Sequence, residues 1–373
     1  MPVVYRWHVI RREPGAGGAG GGDNQIMELD DFEVSAEQEI AQASINRPHI
    51  VILGAGASRA TCPHGDKQGK ILPLMNDFVD VVGLRRSLEA WGVSPDRNFE
   101  EIFSDLYESK KIAQVQEIQE TVEEYFSRLE LPDSPTIYDH LVLSLRDKDL
   151  IATFNWDPLL INACLRNGRA GLSLPRLAFL HGNVRVGYCE QDRIAGIAGM
   201  QCKRCGEFYK RAPLLYPIKT KNYAENEFIV NEWKMLKWGF ENAFMITIFG
   251  YRGPKTDQEA IATMKEAWGD KYGRNMEQTA FIISPTQNED EVSDNWEPFI
   301  HTHHYEIHRD FYDSWIANHP RRTGEAYWNQ YYEAKFVAKN PIPKELDFPQ
   351  LWDWYQQFKK PEAERSSSGS PTP

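Results

Sequence analysis

The chain reads as an α/β protein: a parallel sheet with helices on both faces, plus a helical insertion and a small cysteine-containing insertion. Three observations predict this. Strand candidates, most of them apolar runs, recur along most of the chain, at 50–53, 150–154, 177–180, 244–249, 280–284 and 303–307. Helical patterns separate most of them, which implies parallel pairing. The first run, in HIVILGAGASRAT (49–61), stops at small residues and opens into a helix. Such sheets bind ligands outside the carboxyl ends of their strands. Polar residues just past those ends are therefore the ones to weigh.

The elements follow in order. Residues 1–45 are expected to be a disordered linker, because 14–22 is mostly glycine. Residues 46–320 form the sheet domain. Within it, 76–145 reads as helical: Ile112, Val115, Ile118, Val122 and Phe126 recur at helical spacing. Ser134-Pro135 offers a cap and a first-position proline for the run that ends at Leu145. A second insertion, 184–221, carries three of the five cysteines and little periodicity. Residues 321–360 form an aromatic-rich helical extension, and 361–373 is a Ser/Pro-rich tail expected to be disordered.

Composition excludes some roles. The 373 residues are 41% hydrophobic, enough for a substantial core, and the net charge of −12 argues against direct nucleic-acid binding. No apolar run approaches the roughly 18 residues of a membrane span. Arg6, Arg11 and Arg12 precede no apolar stretch, so no secretory signal is expected. Five cysteines, odd in number and unevenly spaced, do not form a disulfide framework, and a reducing cytoplasm is the expected location.

Five places at strand ends carry candidate chemistry. Gly54, Ala55, Gly56, Ala57 and Ser58 form a candidate phosphate cradle, with small residues for close approach and helix-start N–H groups for an anion. The third glycine of the dinucleotide fingerprint is absent, with Ala60 or Thr61 near its place, so a tight turn without a ligand is the competing explanation. Asn155 and Asp157 follow the second run. Asp157-Pro158 also reads as a helix cap, whereas Asn155 can donate and accept. His181-Gly182 follows the third run, where an imidazole can move a proton near neutral pH or simply be satisfied within a turn. Gly250 and Tyr251 end the fourth run, ahead of Asp257 as a helix cap, and Ser284 ends the fifth.

Two further clusters concern metals. Cys202 and Cys205, ahead of Gly206, are half of a zinc knuckle; Cys189 gives a third thiol, and Asp192 is the named candidate for the fourth ligand that a structural zinc needs. The alternative is free thiols. Cys62 and Cys164 read as buried apolar residues. His301, His303 and His304 divide between two faces of a strand and read as strand residues.

Together GAGAS (54–58), TFNWD (153–157), LHG (180–182) and GYRGPKTD (250–257), in this order and spacing, resemble the sirtuin-like superfamily. Within it they are most similar to the bacterial sirtuin-like domain branch often found in anti-phage defence. The resemblance covers roughly residues 48–310. It implies a Rossmann-like fold that binds NAD across the strand ends and breaks the nicotinamide–ribose bond. Gly54 to Ser58 would face the pyrophosphate. Asn155 and Asp157 match the N-x-D of the family's TQNID motif beside the nicotinamide ribose, and His181 matches the catalytic histidine. Gly250, Tyr251 and Ser284 complete the expected NAD-contacting set.

Departures from the deacylase pattern shift the expected reaction. Phe154 replaces the Gln of TQNID; Cys62 to Asp66 stand where GIPDFR is expected; Leu214 to Pro217 occupy the region of the peptide-holding FGE. What is lost binds acyl-lysine, and what remains binds NAD. NAD hydrolysis to nicotinamide and ADP-ribose is therefore favoured, with water held by Asn155 or Asp157 and helped by His181. The alternatives are an NAD-dependent protein deacylase and a catalytically silent NAD- or nucleotide-binding regulatory module. Unchecked hydrolysis would drain NAD, so analogy suggests restraint in a homo-oligomer or in a complex with a HerA-type ATPase.

Overall fold

The apolar runs pair as six parallel strands: β1 His49–Leu53, β2 Leu150–Thr153, β3 Arg176–Phe179, β4 Met245–Phe249, β5 Gln278–Ile282 and β6 Tyr305–His308. Every residue of β1, β2, β4 and β5 is buried, which is why these strands read as continuous apolar runs rather than alternating ones. Successive side chains go to opposite layers. Val51 and Leu53 join a core with Ile102, Ile118 and Leu141 of the helical insertion. Ile50 and Ile52 join Ile229, Leu236 and Phe240 of helix Glu227–Asn242.

The spatial order is β3-β2-β1-β4-β5-β6. This is the Rossmann-like doubly wound order, and it reverses between β1 and β4, where such sheets open a ligand crevice. This computed structural model describes residues 32–217, 226–253, 258–269, 278–300 and 305–368. Most of the expected N-terminal linker, the end of the tail, Asp257, His301, His303 and His304 lie outside the described residues. Among those described, no helix is long and apolar enough to cross a membrane.

The insertions take the expected places with local changes. Helix Ile112–Ser127 buries Val115, Ile118, Val122 and Phe126, whereas Ile112 at its start is exposed. The next helix, Ile137–Leu143, starts at Thr136 rather than Ser134, because the Asp139 carboxylate accepts from both the N–H and the hydroxyl of Thr136. The cysteine insertion is a three-stranded antiparallel sheet of Val186–Cys189, Ile194–Ile197 and Lys210–Arg211.

Residues 32–45 and 361–368 are more ordered than composition predicts. The linker expected through residue 45 ends earlier: Glu33–Val34 pairs in parallel with Phe336–Val337, and helix Ala36–Ala41 follows. The tail expected to be disordered from 361 is helical over Lys359–Ser368, since Glu362 is bound by Arg321 and Arg322. The aromatic extension shares the main core through Leu351, Tyr355 and Phe358.

Candidate active site

At the end of β1 the chain turns at Gly54 into helix Ala55–Thr61. At the end of β4 it turns at Gly250, whose φ is 63°. The two turns lock together. Gly54 N–H donates to Phe249 O, and Gly56 N–H donates to Gly250 O, both at 3.0 Å. A Cβ at Gly54 would sit 2.6 Å from Gly250 O, one at Gly56 would sit 2.8 Å from Gly250 Cα, and one at Gly250 would sit 2.2 Å from Ala57 N. Approach of backbone to backbone therefore already requires these glycines.

Asn155 closes the next strand end against this turn. Its Nδ2 donates to Gly54 O (2.9 Å) and Ser58 Oγ (2.9 Å), with Tyr138 Oη at 3.3 Å. Ser58 Oγ donates to Asp157 Oδ2 (2.7 Å) and lies 2.8 Å from Tyr138 Oη. The other carboxylate oxygen of Asp157 accepts from the N–H of Leu159 (3.0 Å), first residue of helix Leu159–Asn167, whose N-cap position is held by Pro158 rather than by Asp157. All four side chains are buried. Burial raises the pKa of Asp157, and the bonds from Ser58 and Leu159 partly offset this. Asp157 and Ser58 thus hold the wall of the site rather than line open space.

His181 lies two residues past β3, which neighbours β2, and so stands on the same edge of the sheet as Asn155. Its carbonyl accepts from Leu215 N–H (2.9 Å), and Gly182, at φ 76°, leaves room for Pro213. The imidazole meets Phe154 edge-on, with ring centroids 4.8 Å apart. Phe154 in turn stacks on Tyr251 at 4.2 Å and 8°. The residue that replaces the expected Gln thus makes an aromatic bridge between His181 and Tyr251. Ser284, past β5, is exposed and pairs with Thr286 (3.1 Å).

Two participants escaped the sequence reading. Tyr138 sits in a helix whose stripe reads as plain core, and nothing in its spacing marks the hydroxyl. Glu232 is buried behind β3 and accepts from Phe179 N–H at 2.7 Å, while Trp233 Nε1 donates to Leu180 O at 3.2 Å. Together they fix the strand end that carries His181. Burial pushes the Glu232 carboxyl up to about 7, against the pull of the Phe179 N–H. Cys62, behind the glycine turn, is a buried thiol raised to about 12 by burial, with the Asp157 charge adding to the shift. A cavity of about 280 Å³ elsewhere is lined by Glu306, His308, Trp315 and His319, among others, and contains none of the candidate residues.

The cysteine insertion brings its thiols together. The donor atoms of Cys189, Asp192, Cys202 and Cys205 all lie within 4.8 Å of one another. Cys189 and Cys205 Sγ are 3.4 Å apart, and Asp192 Oδ2 lies 3.1 Å from Cys202 Sγ and 3.7 Å from Cys189 Sγ. Ligands at ordinary zinc distances in a tetrahedron stand roughly 3.5–3.8 Å apart. The donor set and spacing fit a structural zinc ion, with Asp192 as the fourth ligand.

No family model and no curated protein matches the chain. Among solved structures, a Sir2 homologue in complex with NAD is 16% identical, with a TM-score of 0.37, over 78% of this chain and 89% of that one. A Sir2 homologue variant in complex with ADP ribose is 13% identical, also at 0.37, over 90% and 98%. A Sir2 variant with a deacetylated p53 peptide and 3′-O-acetyl ADP ribose is 12% identical, at 0.34, over 79% and 96%. At these identities and TM-scores the similarity decides nothing about chemistry.

Proposed function

We propose that the crevice at the ends of β1, β2 and β3 binds NAD and hydrolyses its nicotinamide–ribose bond. The carrying observation is that Asn155 is bonded to the Gly54 turn at the sheet's switch point, with His181 at the next strand end. The family resemblance of the four motifs supplies the substrate. Nicotinamide leaves with the electron pair of the C1′–N bond, and a water oxygen bonds to C1′. Asn155 Oδ1 accepts from that water and orients it. His181 takes the released proton and returns it to solvent. Phe154 and Tyr251, stacked on one another, pack beside His181 and hold its ring in place. Cys189, Asp192, Cys202 and Cys205 would hold zinc as a cross-link of the antiparallel sheet, with no part in the reaction.

The test is nicotinamide release from NAD by the purified protein, with and without an acetylated peptide. Release without peptide is expected. Release that requires peptide would make the protein a deacylase, and NAD binding without turnover would make it a silent module. Asn155→Ala and His181→Ala should each lower release by about 100-fold or more with an unchanged circular dichroism spectrum. Full activity in both variants would reject the site. Metal analysis should find one zinc per chain, lost in a Cys202→Ser, Cys205→Ser double variant.

A further inference from the structure

We infer that Tyr138, contributed by the helical insertion, is a positioning residue that fixes the Asn155 side chain with its carbonyl oxygen toward the reacting water. This rests on the reading of the site given above. Ser58 has one hydroxyl proton, and it goes to the Asp157 carboxylate (2.7 Å). Ser58 Oγ can then only accept, from Tyr138 Oη–H (2.8 Å) and from one Nδ2–H of Asn155 (2.9 Å). The second Nδ2–H goes to Gly54 O (2.9 Å). A flipped amide would set Oδ1 against that carbonyl, acceptor against acceptor. Both amide protons are thus committed, and Oδ1 is the one polar atom of this side chain without a partner among the described residues.

Tyr138 is the closing member of this chain of donors. It is fully buried, and burial together with the Asp157 charge holds its hydroxyl in the protonated, donating form. Its helix is anchored independently: the Asp139 carboxylate binds Arg166 and accepts from Asn167 Nδ2 at 2.7 Å. The hydroxyl therefore arrives from a rigid support outside the sheet. Without it, Ser58 keeps an open lone pair and its hydroxyl can rotate, so the Asn155 amide loses its fixed partner.

Tyr138→Phe removes only the oxygen. It should lower kcat for NAD hydrolysis about tenfold with KM unchanged, the effect of one lost hydrogen bond. In a Ser58→Ala background the same change should have a clearly smaller effect, because only the long 3.3 Å contact from Asn155 Nδ2 to Tyr138 Oη remains to be lost. An unchanged kcat, or effects that multiply in the double variant, would overturn the proposal. A second measurement needs no turnover. With asparagine-selective ¹⁵N labelling, the Asn155 side-chain N–H signals, assigned by their loss in Asn155→Asp, should exchange slowly in the wild type and faster in Tyr138→Phe and Ser58→Ala. Equal exchange would overturn the inference even if NAD is hydrolysed. If no NAD is hydrolysed, the reaction reading fails while the exchange result still decides whether Tyr138 fixes the amide.

Discussion

The two ends of the sheet both carry buried polar networks, built on opposite rules. At the carboxyl ends, Asn155, Ser58, Tyr138 and Asp157 hold one carboxylate and no cation, and one acceptor is left over. Ahead of the strands, charges answer charges. Asp149 accepts from His49 N–H (2.9 Å) and Arg146 N–H (2.8 Å), and Arg146 binds Glu325 at 2.8 Å. Arg321 spreads its donors over Glu362, Leu143 O, Leu145 O and Ser173, and Arg322 reaches Glu362 and Ile40 O. Glu39 meets His319 at 3.0 Å. A network with every charge answered serves the fold. One that leaves an oxygen over is equipped for a guest.

The largest effect should come from breaking the charged end. Arg321→Ala leaves the Glu362 carboxylate with one cation instead of two and strips acceptors on two loops. A loss of about 3–5 kcal/mol is expected in urea unfolding, with helix Lys359–Ser368 opened to proteolysis. A neutral result would mean that this end is decoration. Next comes the site end. Gly250→Ala imposes a left-handed backbone worth about 1–2 kcal/mol and a Cβ clash of about 1–3 kcal/mol. Stability and NAD affinity should fall together; loss of neither would show that the two turns are not locked.

The smallest effect sharpens the contrast, because the two aspartates respond to acid with opposite sign. Burial tends to raise the Asp149 pKa, but the charges of Lys148 and Arg146 and the His49 N–H bring it below the ordinary carboxylate value. Its stabilisation is present above that range and is lost as pH falls through the folded value. Asp157 has its pKa raised by burial. It costs stability once the unfolded carboxylate ionises, and this cost is relieved as pH falls. Urea midpoints from neutral to acid pH should show the wild-type advantage over Asp149→Asn shrinking and that over Asp157→Asn growing. Parallel slopes would erase the distinction between the two networks.

The sequence announces what neighbours along the chain can announce. Continuous apolar runs ending at glycine, asparagine or histidine mark β1 to β4 and the edge where the candidates gather, each within a residue or two of its observed place. Asp192 could be named because it stands between the cysteines it joins. Tyr138, Glu232, Arg321 and Arg322 could not be found this way. Their partners lie tens to hundreds of residues away, and each sits in a segment whose pattern is already explained, by a core stripe or by polar composition. The short strands 186–189 and 194–197 escaped because each is only four residues long and neither alternates, the first being buried throughout and the second half-exposed throughout. Composition misread 32–45 and 361–368, since a strand pairing with Phe336–Val337, the Glu39–His319 contact and the tie of Glu362 to two buried arginines outweigh a polar average.

The tie between Glu362 and the two arginines also sets a timetable for synthesis. The ribosome delivers Gly54, Asn155 and His181 long before Glu362, yet Arg321 and Arg322 have no carboxylate between them until Glu362 arrives. Leu351, Tyr355 and Phe358, which complete the main core, come just ahead of it. The nascent chain therefore carries Gly54, Asn155 and His181 before the residues that complete the main core and close the Arg321 and Arg322 ion pairs have been made.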